Sequence, residues 1–397
     1  MGQREYTLDE AAELIGTAPS NLAAWTRYGL VPSKKNERIA VYSHSDLVRI
    51  SPRLGGSNEK TTDAPRVVSF FSGCGGLDLG FQIAGFHLGF ANDFFSGAAK
   101  SYLHNIGPID PRSIYEISTD DVGPADVILA GFPCQPFSNA GSRRGVSDPR
   151  GTLFWETLRF VEALKPKVVV FENVRGLLSM KNPDGGLLIE AIVREVESRG
   201  YKVSYKLLNA HEYGVPQNRY RVIIVGVLSS LFAQPFDFNE IPRETGKNLG
   251  EAIANLPIDD PNNEHWELSP QAKQLIEHIP AGGSWKSVPY DKLPARLKRI
   301  RDNMSRYHSP NFYRRFALTE VMGTVTAAAT PENSGILHPH EPRRYSVREV
   351  ARFQTFPDSF IFQGNGISEK YKQIGNAVPP ELARRLGEAL MAKYFTL

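Results

Sequence analysis

Residues 66–94 limit the possible fold more than any other stretch of the chain. Val67-Val68-Ser69-Phe70-Phe71 is a short apolar run that reads as a buried strand. It passes directly into Ser72-Gly73-Cys74-Gly75-Gly76, after which a helix is expected from about Leu77. Leu88-Gly89-Phe90-Ala91-Asn92 forms a second strand candidate, followed by Asp93 and Phe94. Strand, glycine turn, helix and second strand open a doubly wound α/β sheet. In such sheets the glycines let a ligand approach the backbone at the helix N-terminus. An acid closing the second strand, about 20 residues on, commonly holds ribose hydroxyls, and Asp93 stands there. The turn lacks GxGxxG spacing and could be only a tight turn. Asp93 alone could be a helix cap, and Phe71 and Phe94 either sandwich a ring or join the core.

A second strand-to-loop step carries a nucleophile. Asp126-Val127-Ile128-Leu129-Ala130 leads into Gly131-Phe132-Pro133-Cys134-Gln135-Pro136-Phe137-Ser138. Prolines on both sides restrict the backbone around the thiol, and the carboxyl end of such a strand is where α/β sheets place chemistry. A buried structural cysteine is the plain alternative. Cys74, among glycines, is expected to present its backbone rather than its thiol.

Composition narrows the class. The 397 residues suggest two or three domains, and a 41% hydrophobic content is ample for a core. No apolar run approaches the roughly 18 residues of a membrane span, and the first residues lack a signal-peptide core. Two cysteines without a CxxC or Cys/His cluster argue against disulfides and zinc. A cytoplasmic protein with free thiols is expected. The net charge of +3 says little about partners, but its distribution says more.

Residues 1–50 read as a separate module. Thr7-Leu8-Asp9-Glu10 has the capping-box pattern before a helix ended by Gly16. Ser20 is a candidate cap for a second helix running to about Tyr28, stopped by Gly29. A hairpin-like wing over Val31–Tyr42 follows, with Lys34, Lys35 and Arg38 near its tip, and a short helix from Asp46. The pattern resembles the MerR-type winged helix-turn-helix. That resemblance implies a second helix in the major groove and a wing on phosphates. Six basic and six acidic residues leave the module uncharged overall, so an adaptor that touches no DNA is the alternative. Residues 51–65, rich in Gly, Ser, Pro and Thr, read as a linker.

Six motifs then occur in order. They are Phe71-Ser72-Gly73-Cys74-Gly75-Gly76, Gly131 to Ser138, Phe171-Glu172-Asn173-Val174, Gln217-Asn218-Arg219-Tyr220-Arg221, Arg348-Glu349-Val350-Ala351-Arg352-Phe353-Gln354-Thr355-Phe356-Pro357, and Gly375-Asn376-Ala377-Val378-Pro379-Pro380. From about residue 66 to 397 the chain resembles the prokaryotic cytosine-C5 DNA methyltransferase family. The resemblance implies a doubly wound, Rossmann-like catalytic domain over 66–227, a smaller target-recognition domain over 228–342 and a return to the catalytic domain over 343–397. It implies S-adenosylmethionine as methyl donor, without a metal. Cys134 would add to C6 of a flipped cytosine, which makes C5 nucleophilic. Glu172 would deliver a proton to N3, and Arg221 would hold the base near O2 and orient the glutamate. Cofactor contacts carry over to Phe71, Gly73, Gly75, Asp93, Phe94, Pro133 and Asn376. Many family members have Glu where Asp93 stands. The family's adenine-contacting acid falls on Ser113, which leaves Ser113, Asp110 or a backbone carbonyl for that contact.

DNA contacts are expected from two places. Residues 139–151 are polar, glycine-rich and basic, and by resemblance close over DNA, bringing Arg143, Arg144 and Arg150 to phosphates. Residues 286–315 hold nine Lys or Arg against two acids, with Tyr290, Tyr307, Phe312 and Tyr313 interleaved. Lys298 and Arg299 are the candidates there. Arg219 is grouped with the DNA-contacting residues but is read first as support of its loop. The partners implied are double-stranded DNA and, functionally, a cognate restriction endonuclease, with the enzyme monomeric on DNA. A tRNA cytosine-C5 methyltransferase and a regulator with a scaffold methyltransferase domain are the competing readings.

Overall fold

A computed structural model describes residues 5–133 except 16, 18, 37–38, 44–46 and 48–62, then 153–182, 185–303, 312–328, 330 and 335–396. The chain divides into two compact units, one of 1–208, 220–242 and 383–397, the other of 209–219 and 243–382.

The first unit begins with the small amino-terminal module. Strands β1 (Glu5–Tyr6), β2 (Lys34–Asn36) and β3 (Ile39–Ser43) form an antiparallel sheet in the order β1-β3-β2. Helices span Leu8–Ile15 and Pro19–Arg27. The capping box is present: Thr7 N donates to Glu10 Oε2 at 2.8 Å, and Glu10 N donates to Thr7 Oγ1 at 3.4 Å. Ser20 is not the cap of the second helix, because that helix starts one residue earlier at Pro19, whose fixed φ suits a first turn. Gly29 ends it at φ +68°. The helix expected from Asp46, and Arg38, lie outside the described residues.

The larger sheet of this unit contains β4 (Arg66–Phe70), β5 (His87–Asn92), β6 (Val127–Ala130), β7 (Val168–Val174), β8 (Tyr201–Asn209) and β9 (Tyr220–Leu228). Their order is β5-β4-β6-β7-β9-β8. Neighbours from β5 to β7 are parallel, and β9 runs antiparallel to β7. Continuous burial along β6 and most of β4 and β7 explains why these strands read as uninterrupted apolar runs. Sequence order reverses between β4 and β6, so the glycine turn after β4 and the loop after β6 leave the sheet at its switch point. Phe70 stacks on Phe160 with ring centres 4.4 Å apart, and Phe132, Phe154 and Phe171 pack edge to face nearby.

The second unit is built from short helices and loops around a core that includes Trp285, Leu297, Tyr313 and Leu337. Its boundaries differ from the segments drawn on the sequence because buried polar side chains tie residues 209–219 into it. Gln217 donates to Gln354 Oε1 and to Phe353 O, and accepts from Val325 N. Arg348 is fully buried, paired with Asp260 at 2.6 Å and donating to the carbonyls of Pro357 and Phe360. Among the described residues, no helix is long and apolar enough to cross a membrane.

Candidate active site

The glycine turn is shaped for a ligand. Phe71, a non-glycine residue, sits at φ +56° at the end of β4, a conformation that costs about 1–3 kcal/mol and clusters at functional sites. Gly73 (φ +57°) faces open space, whereas a Cβ on Gly75 (φ +91°) would meet Ile106 and Tyr102 at 2.1 and 2.8 Å. The helix Gly76–Ile83 starts from Gly75 without a side-chain cap. Its first N–H groups therefore have no side chain at the N-cap to satisfy them.

Asp93 closes β5 and joins both sides of this turn. Its Oδ2 accepts from Gly73 N and its Oδ1 from Phe95 N, each at 2.8 Å. These two amides orient its carboxylate. Phe94 is 70% exposed, an aromatic face with little protein against it. A cradle without side chains, an oriented acid and an open aromatic face fit a nucleoside-bearing cofactor.

Two sequence alternatives narrow at this end. Asp110 is bound through both oxygens by Arg112, at 2.6 to 3.1 Å, so its carboxylate is engaged within its own loop. Ser113 precedes a turn of 3-10 helix with no side-chain cap bond. Cys74 is buried, and that burial pushes its thiol pKa up, which agrees with a backbone role.

Beneath the turn lies a carboxylate that the sequence reading missed. Asp78 is fully buried; Ser69 Oγ donates to its Oδ1 at 2.7 Å and Tyr102 OH to its Oδ2 at 2.8 Å. Burial pushes its pKa up to about 6 against the opposing pull of these hydrogen bonds. Asp78 links β4, the turn's helix and the helix Ser96–Asn105.

The second half of the site follows from strand register. Val174 on β7 faces Arg221 on β9, so Glu172, two residues earlier, shares a face with Arg221 as its diagonal neighbour. Arg221 Nε stands 2.5 Å from Glu172 Oε1, and the two side chains are only 10% and 11% exposed. The contact is an ion pair without an aligned hydrogen bond: neither atom has a hydrogen-bond partner, and Arg221 Nη1 donates to Tyr220 O at 2.9 Å. The loop from β6 runs beside this pair. A Cβ on Gly131 would lie 3.4 Å from Glu172 Oε2, and Asn173 Nδ2 donates to Phe132 O at 3.0 Å. The sequence assigns Asn173 no role of its own, although an amide at the end of an apolar strand, where it is disfavoured, is a signal. Cys134, Arg143, Arg144 and Arg150 lie outside the described residues, and Pro133 is the last described residue before the cysteine.

Arg219 takes the loop-supporting place read for it, apart from the DNA contacts with which it was also grouped. It is fully buried, and its guanidinium donates to the carbonyls of Val325, Gly375 and Ala377 at 2.7 to 2.9 Å. A group with no exposed surface meets no phosphate, so the role is scaffolding of the second unit. Asn376 belongs to that unit, on the helix Ile367–Asn376. A Cβ on Gly375 would stand 2.4 Å from Thr326 backbone. Lys298 and Arg299 lie on the helix Ala295–Asp302. Arg299 is exposed, while Lys298 lies 5.4 Å from the Tyr290 ring centre and donates to Asp291 O at 3.4 Å. Arg296, not singled out from sequence, is exposed one turn before Arg299 on the same helix, and Lys292 is exposed on the preceding 3-10 turn.

Comparison with known proteins gives a consistent picture. The family model for C-5 cytosine-specific DNA methylases matches residues 65–392. That for MerR HTH family regulatory proteins matches residues 6–51. The Type II methyltransferase M.NgoFVII of Neisseria gonorrhoeae is 39% identical over 355 residues, covering 86% of this chain and 90% of that protein. Type II methyltransferase M.Eco47II of Escherichia coli is 32% identical over 424 residues, covering 98% and 96%. Among solved structures, a DNMT2 variant from Spodoptera frugiperda aligns with a TM-score of 0.58 at 17% identity, covering 83% of this chain and all of that one. Entamoeba histolytica methyltransferase EhMeth aligns with a TM-score of 0.55 at 17% identity, covering 83% and 98%. These two similarities concern the fold. The chain belongs to the C-5 cytosine-specific DNA methylase family and carries a MerR-type helix-turn-helix module at its amino end.

Proposed function

We propose that this chain is the sequence-specific modification methyltransferase of a restriction system, acting in the cytoplasm on cytosine C5 in duplex DNA. The observation that carries the reading is the Glu172–Arg221 pair set against the backbone that leads into Cys134. Cytosine C5 is too weak a nucleophile to accept a methyl group unaided. The Cys134 thiolate adds to C6 of a flipped base while Glu172 places a proton on N3, and the ring becomes an enamine nucleophilic at C5. Arg221, with donor capacity left over, holds the base and fixes the carboxyl. S-adenosylmethionine supplies the methyl group. Its nucleoside end would be held by the turn around Phe71, Gly73 and Gly75, with Asp93 and Phe94 beside it and Pro133 and Asn376 as further contacts. Loss of the C5 proton and elimination of the thiolate release the methylated base and restore Cys134.

The catalytic domain spans 66–227 and the target-recognition segment 228–342 in this reading, with Arg296 and Arg299 toward phosphates. The amino-terminal module reads DNA through the helix Pro19–Arg27. The protein works as a monomer on DNA, and a cognate endonuclease shares its target.

The test is methyl transfer from labelled S-adenosylmethionine to duplex DNA. Cys134→Ser abolishes transfer while binding to the same duplex persists. Unchanged turnover would remove Cys134 from the mechanism, and transfer to tRNA in place of DNA would overturn the substrate.

A further inference from the structure

The sheet ends at β5 on the cofactor side, and a later segment of the chain bridges its outer edge at Asn92. Beyond β5 the chain from Gly107 to Ser113 has no strand of its own, but Asp110 makes an isolated parallel bridge to Asn92. Asp110 N donates to Ala91 O at 2.8 Å, and Asp93 N donates to Asp110 O at 3.2 Å. Asn92 Nδ2 donates to Asp110 O and Arg112 O at 2.9 and 2.8 Å. This short segment therefore fixes the backbone that carries Asp93.

The other side of that segment is held by the amino-terminal module. Trp25, on the helix Pro19–Arg27, is 1% exposed, and its indole Nε1 donates to Ile109 O across 84 residues of sequence. Ile109 C=O and Asp110 N–H belong to one peptide group. The peptide is gripped from both ends, by the indole on its oxygen and by Ala91 O on its hydrogen. Hydrogen bonds in series through one peptide polarise each other. The path from Trp25 to the glycine turn is short: Ile109–Asp110, then Asp93, then Gly73 N at 2.8 Å from Asp93 Oδ2.

We infer that the MerR-type module is a structural part of the cofactor site, with Trp25 acting as a positioning residue for Asp93 through the Ile109–Asp110 peptide. The inference rests on the proposed role of Asp93 toward S-adenosylmethionine. Docking through Trp25 leaves Ser20 and Arg27 of the same helix exposed. Coupling between the module and the cofactor is reciprocal by linkage: if the docked module favours cofactor binding, bound cofactor favours docking.

The test uses the full-length protein. Dissociation constants for S-adenosylmethionine are measured by calorimetry for wild type, Trp25→Phe and Asp93→Asn, with Glu13→Ala, an exposed site on the other helix, as control. Trp25→Phe is expected to weaken cofactor binding about two- to tenfold, the range of one neutral hydrogen bond. Its KM for the cofactor rises while kcat at saturation stays. If Trp25→Phe disturbs the module's own packing, site-specific replacement by benzothienylalanine keeps the bicyclic shape and removes only the N–H. S-adenosylhomocysteine added to wild type should slow hydrogen exchange at the Trp25 indole. Wild-type affinity in the benzothienylalanine protein, or indole exchange indifferent to ligand, overturns the inference even where Asp93→Asn binds poorly. Full affinity in Asp93→Asn overturns instead the reading on which it rests.

Discussion

Arg219 and Arg221 stand two residues apart in one motif and end in opposite circumstances. Arg219, in the second unit, is fully buried and donates to three backbone carbonyls. Arg221, at the start of β9, keeps a little exposed surface, one carbonyl and a charged partner to which no hydrogen bond is aligned. A guanidinium has five donors in a fixed fork. When main-chain carbonyls occupy the fork, the residue holds the protein together. When a carboxylate faces it with capacity unspent, the residue can act on something else.

Substitutions at three positions bear on that contrast. The largest effect is expected at Glu172. Glu172→Gln should lower turnover about 10²- to 10⁴-fold, the usual contribution of a positioned acid or base. The loss should exceed any loss of folded protein, read by methyl transfer alongside thermal melting. Parallel losses of activity and folded fraction would make the pair a scaffold like Arg219 and erase the distinction.

Arg219→Met should act on stability instead. Three carbonyls lose a donor, of which Ala377 O keeps Gln354 Nε2, and each buried acceptor left alone costs about 1–3 kcal/mol. The urea midpoint falls, turnover per folded molecule stays near wild type, and Arg219→Lys restores little because an ammonium lacks the planar fork. A turnover defect without a stability defect would return Arg219 to the substrate.

The smallest effect belongs to Asp78, a buried carboxylate that is hydrogen-bonded but not paired with a cation. Its pKa rises from 3.8 to about 6 through burial. Between those values the unfolded chain has released this proton and the folded chain retains it. Stability therefore falls as pH rises across that window, and the group costs nothing below it. Asp78→Asn should flatten this part of the stability profile, measured as melting temperature against pH. An unchanged slope would assign the pH dependence to other groups.

The parallel strands were legible because a strand buried on both faces must be apolar throughout, as Val127–Ala130 is. Turn residues were legible where glycine is needed, as at Gly75. Motif order brought Glu172 and Arg221 together before any coordinates did. A loop-supporting role for Arg219 was legible from its motif, but its partners were not, since residue type does not say which carbonyls will surround a guanidinium. Capture of 209–219 by the second unit depends on Gln217 reaching Gln354, far along the chain. The Trp25 contact was hidden for the same reason, and Trp25 by itself reads as a core residue of a small helical module.

Phe71 has a consequence for the history of such an enzyme under heat. Its left-handed backbone would relax if glycine took its place, yet its half-buried ring packs against the sheet's core beside the glycine turn. Selection for thermal endurance alone would press on this position from two directions, toward a freer backbone and toward a filled core. A lineage that keeps an aromatic ring here retains a local conformational debt beside its ligand site, and that residue is a natural place for stability and catalysis to evolve against each other.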